Sequence, residues 1–107
     1  MKTIYKGKIV GFSGSYGSGI ATLMIERGGV VEAVHCENAP TVRALEHAFG
    51  NVIGAGHSVK KDAGFMNKEI YFTMEFGILA SFTPVECAHP KFSEGYKKQF
   101  IGNINLN

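Results

Sequence analysis

The chain has 107 residues, 45% of them apolar and 19% charged, and a formal net charge of +2. This length and composition are typical of one globular domain whose core needs no metal or disulfide. The charge excess is weaker than that of most proteins that bind duplex nucleic acid, and no stretch approaches the ~18 apolar residues of a membrane helix. Fourteen glycines argue against an all-helical fold, because glycine favours turns and bends.

The N-terminal third of the chain predicts three strands. Strand-forming residues are concentrated in residues 2–12, 20–26 and 30–36. Gly7 and Gly11 interrupt the alternation of the first segment, which predicts a bulge or a strong bend in that strand.

Two glycine-rich segments separate these strands. Residues 11–19 contain too few apolar residues for a strand and too much glycine for a helix, so they predict a mobile loop. Gly28 and Gly29 suit a two-residue hairpin, because glycine accepts the positive φ that such a turn requires. The hairpin predicts a register of four pairs, which are Ala21 with Cys36, Thr22 with His35, Leu23 with Val34, and Ile25 with Glu32.

One helix is expected over about residues 39–49. Asn38 is expected to cap its N-terminus, and Pro40 suits its first turn, where a missing N–H costs nothing. Gly50 follows at the position where a chain usually leaves a helix through a left-handed turn. Four apolar residues share one face at helical spacing and predict the packing surface: Val42, Leu45, Ala48 and Phe49.

The segment after the helix predicts two or three more strands. Residues 51–59 begin as a strand, and residues 60–68 are a polar turn region. Residues 69–76 alternate in polarity, and residues 78–82 continue as a short strand that ends before Pro84. The core face of residues 69–76 is predicted to contain Ile70, Phe72, Met74 and Phe76.

The predicted order is therefore β-β-β-α-β-β, a mainly β fold with one helix (α+β). With its glycine-bent first strand, this order over about residues 2–83 resembles the OB fold, a five-stranded Greek-key barrel that binds oligonucleotides and oligosaccharides. We expect residues 1–84 to form a small antiparallel barrel of five or six strands. Residues 85–107 are expected to be a tail that packs on the barrel or is partly disordered. The alternative is an open antiparallel sheet with the helix packed on one face.

No specific motif identifies a function. The glycine-rich loop lacks the lysine of a Walker loop and does not lead from a strand into a helix. In an OB-like barrel this loop joins the first two strands, where such folds hold ligands, so Phe12 and Tyr16 are candidate stacking residues. His57 is a third candidate, because the neighbouring Gly56 lets the backbone approach a ligand.

Lysines and a tyrosine provide further candidates. Lys6 and Lys8 share one face of the first strand and, with Tyr71, are predicted to line a groove for single-stranded nucleic acid. The leading hypothesis is therefore a small non-enzymatic module that binds single-stranded nucleic acid or a small ligand. Cys87 and His89 are the only suggestive close pair of metal ligands, and a second pair is missing, so no metal or other cofactor is expected.

Two alternatives remain open at the level of sequence. The first is a homodimer that associates through glycine-softened edge strands. The second is a small enzyme or metal site centred on Cys36, His57 or His89. The N-terminus lacks the apolar core of a signal peptide. We therefore expect a cytoplasmic protein with reduced thiols at Cys36 and Cys87 and no membrane partner.

Overall fold

A computed structural model describes residues 3–14 and 17–88, with the side chain of His57 left out. The predicted order of three strands, one helix and two strands is confirmed. The tail predicted for residues 85–107 lies outside the described residues from position 89 onward. The elements in chain order are β1 (Tyr5–Ser13), β2 (Ile20–Arg27), β3 (Val30–Glu37), α1 (Asn38–Phe49), a 3₁₀ turn (Ala55–His57), β4 (Glu69–Glu75), β5 (Ile78–Pro84) and a second 3₁₀ turn (Val85–Cys87).

The five strands form a closed barrel in the order β1-β2-β3-β5-β4. β4 pairs with β1 on one side and with β5 on the other, so the alternative of an open sheet is wrong. All pairings are antiparallel except β3 with β5, which run parallel and meet at the single pair His35 and Ile78. Between β3 and β5, the barrel is therefore closed by one residue pair, His35 with Ile78.

Glycine residues determine the bulge in β1 and the turn between β2 and β3, as predicted. The register of β1 against β2 shifts between Ile9 and Gly11, which confirms the bulge in β1. Gly28 and Gly29 have φ angles of 58° and 82° and form the predicted two-residue turn. All four predicted pairs between β2 and β3 are present.

The helix closes one end of the barrel. Leu45 is 0% exposed and Thr41 is buried, while Val42 and Phe49 pack partly against the core. Ala48, also predicted on the packing surface, is exposed. The helix ends at Gly50, whose φ of 71° confirms the predicted left-handed exit. The buried core contains Ile9, Ala21, Leu23, Ile25, Val34, Cys36, Leu45, Val52, Ala63, Phe65, Ile70, Phe72 and Leu79.

Two predictions for the second half of the chain are wrong. Residues 51–59 form no strand, because the 3₁₀ turn leaves only the isolated bridge between Ile53 and Val59. Phe76 does not lie on the core face of β4. It occupies the turn between Glu75 and Ile78, with a φ of 54° and an exposed fraction of 102%.

Within the described part of the chain, no helix combines the length and the apolar character needed to span a bilayer.

Candidate functional site

A cavity of about 440 Å³ lies where the loop between β1 and β2 meets the start of α1 and the segment around the Ile53–Val59 bridge. We call it the loop cavity. Its apolar wall comes from Phe12, Ala39, Val42, Ile53 and Val59. The remaining lining residues are Gly14, Gly17, Ser18, Asn38, Arg43 and Ser58. Its volume falls in the range of about 300–1,000 Å³ that is usual for small-molecule sites.

Asn38 attaches the loop to the helix. Its side-chain Nδ2 donates to the carbonyl oxygen of Ser18 at 3.0 Å, and its backbone N–H donates to the carbonyl oxygen of Gly19 at 2.9 Å. The predicted capping role of Asn38 is wrong, since Glu37 occupies the N-cap position and forms no side-chain cap. The same polar residue instead fixes one wall of the loop cavity.

Phe12 belongs to both the core and the cavity. Its ring meets the Phe65 ring edge-on, with centroids 6.2 Å apart. A Cβ at Gly14 would lie 3.2 Å from the Phe12 ring and 2.8 Å from Cβ of Ala21. Glycine at position 14 therefore lets the loop pass closely over the ring and the strand.

The electrostatic character of the loop cavity comes from Arg43. This exposed guanidinium has no hydrogen-bond or ion-pair partner among residues 3–14 and 17–88. The first turn of α1 contains no acidic residue, although the N-cap residue Glu37 is acidic. Glu37 lines a different groove, on the other side of the helix. The loop cavity therefore combines apolar walls with one unpaired cation.

The six residues predicted for binding do not form one site. Phe12 lines the loop cavity, and Ser58, the neighbour of His57, lines it too. The backbone of His57 lies in the 3₁₀ turn, and Tyr16 lies outside the described residues. Lys6, Lys8 and Tyr71 lie elsewhere, on the outer surface of β1 and β4.

The side chains of Lys6, Lys8 and Tyr71 already have partners within the chain. Lys6 Nζ lies 5.8 Å from the centroid of the Tyr71 ring, and Tyr71 is only 7% exposed. Lys8 Nζ lies 3.9 Å from a carboxylate oxygen of Glu26. The Tyr71 ring therefore presents no open face for a base to stack on, and the Lys8 charge is shared with Glu26.

Cys36 lacks the surroundings of a nucleophile. Its side chain is 0% exposed. Burial raises the pKa of the Cys36 thiol, and a side-chain hydrogen bond with Thr41 offsets part of that rise. Cys87 is exposed, and neither cysteine forms a disulfide. No cluster of three or more metal-ligating side chains occurs in the described ranges.

Sequence reasoning missed three residues. In the sequence, Arg43 is only a polar residue on the helix surface, and Asn38 is only a capping residue by type. Alternation places Phe76 in the core, although the Phe76-Gly77 pair can also form a two-residue loop. The signal that favours the loop is Gly77, whose φ of 79° suits the second position of such a turn.

A second groove, of about 610 Å³, runs between α1 and β5. Small side chains such as Ala44, Ala48, Ala80 and Ser81 line much of it. It contains neither an unpaired cation nor the predicted loop, so the loop cavity is the stronger candidate.

Comparison with protein-family models, with curated proteins and with solved structures found no match to this chain.

Proposed function

We propose that this protein is a small non-enzymatic binding module whose ligand occupies the loop cavity. The single observation that carries the proposal is the cavity of about 440 Å³ between the first loop and the helix. It combines an aromatic wall with Arg43, which has no ion-pair partner in the described part of the chain. The strand order and the helix between β3 and β4 support an OB-like barrel. In that fold the loop between the first two strands takes part in ligand binding.

The lining defines the class of ligand. Apolar side chains favour a ring or another flat apolar body, and Phe12 offers an aromatic surface. Arg43 favours a carboxylate, sulfonate or phosphate on that body, because its guanidinium can donate two parallel hydrogen bonds. The proposed ligand is therefore a small aromatic anion.

The dye 8-anilinonaphthalene-1-sulfonate is a suitable probe, since it combines aromatic rings with one sulfonate. We expect saturable binding to the folded protein, measured by dye fluorescence and by the rise in melting temperature. Ala39→Phe fills the cavity from an exposed position of α1 and should weaken binding at least about tenfold, the effect of about 1.4 kcal/mol. Arg43→Gln should weaken it by about tenfold or more through the lost charged hydrogen bonds.

Matched controls separate the cavity from general surface effects. Ala44→Phe makes the same substitution on the same helix, but Ala44 lines the other groove. Lys61→Gln removes an exposed charge outside the cavity. Both variants should bind the dye as the unchanged protein does. Equal binding by Ala39→Phe and Ala44→Phe, in variants that remain folded by circular dichroism, would exclude the loop cavity.

Single-stranded nucleic acid is a second candidate ligand, and Phe76 is the observation that favours it. This ring is fully exposed, and its φ of 54° is unusual for a bulky residue. Conformations of this kind occur most often at functional sites. Against nucleic acid, the formal net charge of the chain is only +2, a weak basic excess for a protein that binds many phosphates.

A labelled oligothymidylate tests the second candidate. Stacking is worth about 1–3 kcal/mol per base, so Phe76→Asn should weaken binding at low salt by about fivefold or more. Asparagine tolerates the left-handed backbone at this position, so the fold should be retained. Absence of any electrophoretic shift at low salt would exclude this ligand class.

A further inference from the structure

Among the residues that the structure describes, the N-terminal half of β3 is an open strand edge. On one side every residue of β3 pairs with β2. On the other side, within the described residues, β3 meets β5 only at the pair His35 and Ile78. Residues 30–33 therefore have no strand neighbour on that side, and all four are exposed.

The hairpin geometry identifies the backbone groups at this edge. Arg27 and Val30 close a two-residue loop, and such a closing pair exchanges hydrogen bonds. Even-numbered residues from Val30 onward therefore bond to β2, and odd-numbered residues direct their N–H and C=O groups to the opposite side. His35 agrees with this alternation, since it is the residue that bridges to β5. Val31 and Ala33 are left with outward-directed backbone groups.

The edge carries none of the usual devices that prevent strands from pairing. Natural edges are protected by lysine, proline or a bulge, and residues 30–33 contain none of these. The one charged side chain, Glu32, is held by Arg27, whose Nη2 lies 3.0 Å from each carboxylate oxygen. Val30 is 60% exposed and Val31 48% exposed, so the edge is both apolar and electrically neutral.

We propose that this edge pairs in antiparallel orientation with the same edge of a second copy, forming a two-fold symmetric dimer. Two identical strands can satisfy each other's outward N–H and C=O groups across a two-fold axis. Because Arg27 neutralises Glu32 within the chain, the edge has no net charge that would favour a partner of opposite charge. Phe76 precedes Ile78 in the turn beside this edge, so its exposed ring is positioned to add apolar contact.

The strength of this dimer is limited by its size. A pairing of about four residues per chain buries less than the roughly 1,000 Å² that stable interfaces exceed. The dimer should therefore dissociate on dilution. The inference does not depend on the loop cavity, because Ala39 and Arg43 lie on the helix and not on the edge.

Sedimentation equilibrium from micromolar to millimolar protein tests the inference. We expect the average mass to rise with concentration from 11.6 kDa toward twice that value. The amides of Val31 and Ala33 should exchange more slowly at high concentration than in dilute solution. A mass of one chain at every concentration would overturn the proposal. Slower exchange at these amides in the presence of an added extended peptide would not rescue it, because the proposed partner is a second copy of this chain.

Two variants locate the interface. Val31→Pro removes an N–H that makes no bond to β2, and Val31→Lys adds the charge that natural edges use. Both should lower association at least tenfold, and the lysine variant keeps the test valid if the proline variant does not fold. Ala44→Lys places the same charge on the exposed helix surface and should leave association unchanged. Dimerisation by Val31→Lys at the level of Ala44→Lys would also overturn the proposal.

Discussion

Leu45→Ala is the most direct test of how the helix is held to the barrel. In α1 only Thr41 and Leu45 are buried, and Leu45 is 0% exposed. Removal of a fully buried leucine side chain costs about 2–5 kcal/mol, the loss of apolar burial plus the cavity that remains. A domain of this size is stable by about 5–15 kcal/mol. The substitution should therefore remove a large part of the free energy of unfolding.

Thermal unfolding followed by circular dichroism measures the effect. At about 4 °C per kcal/mol for a domain near 100 residues, Leu45→Ala should lower the melting temperature by roughly 10 °C or more. Ala48→Ser changes an exposed position of the same helix and should shift it only slightly, because exposed substitutions usually cost less than about 0.5 kcal/mol. A melting temperature for Leu45→Ala within the range of Ala48→Ser would refute the packing of α1 on the barrel.

Four further predictions concern single residues. Gly64→Ala should prevent stable folding or lower the melting temperature sharply, because its Cβ would lie 2.9 Å from the Phe49 carbonyl oxygen, and no side-chain rotation relieves a backbone clash. Asn38→Ala should cost about 1 kcal/mol through the lost hydrogen bond to the carbonyl oxygen of Ser18, with faster proteolysis next to Ser18 and little loss of helix signal. In the native protein iodoacetamide should alkylate Cys87 and leave Cys36 unmodified; labelling of both at equal rates would contradict the burial of Cys36. Because burial raises the pKa of Cys36, the stability that its neutral thiol contributes is present at neutral pH and lost in alkaline buffer. Wild type should therefore lose melting temperature faster than Cys36→Ala as the pH rises above about 8.5.

Local rules succeeded where a few neighbouring residues determine the conformation. The Gly28-Gly29 turn has only two loop residues, so it sets the pairing of β2 with β3 without help from the rest of the chain. The exit of the helix at Gly50 and the bulge in β1 follow in the same way from glycine. These features could be predicted because each depends on short-range backbone geometry.

The same local rules failed where a side chain had two possible partners. Asn38 is a good capping residue by type, but its amide bonds to Ser18, which lies 20 positions earlier in the chain. Phe76 continues an alternating pattern, but the short turn into β5 places it outside the core. Residue propensity could not distinguish these outcomes. A distant segment decides the position of the Asn38 amide, and the pairing of β4 with β5 decides the position of Phe76.

The candidate site was only partly predictable for this reason. The loop and Phe12 could be identified from glycine content and aromatic character. Arg43 could not, because its importance depends on which wall of the cavity it faces and on the absence of an ion-pair partner in the described ranges. Lys6, Lys8 and Tyr71 look similar in sequence, but they lie on another surface and are already paired.

The sequence by itself determined the order of the elements, the β2–β3 register and most of the buried residues in the strands, since alternation and glycine turns act over a few positions. Only the tertiary structure decided that the sheet closes, that the first loop and the helix border a cavity, and that, within residues 3–14 and 17–88, β3 keeps an open edge beyond its single bridge to β5. The physical reason is that barrel closure and cavities depend on contacts between segments far apart in the chain. A pattern over a few neighbouring residues contains no information about those contacts.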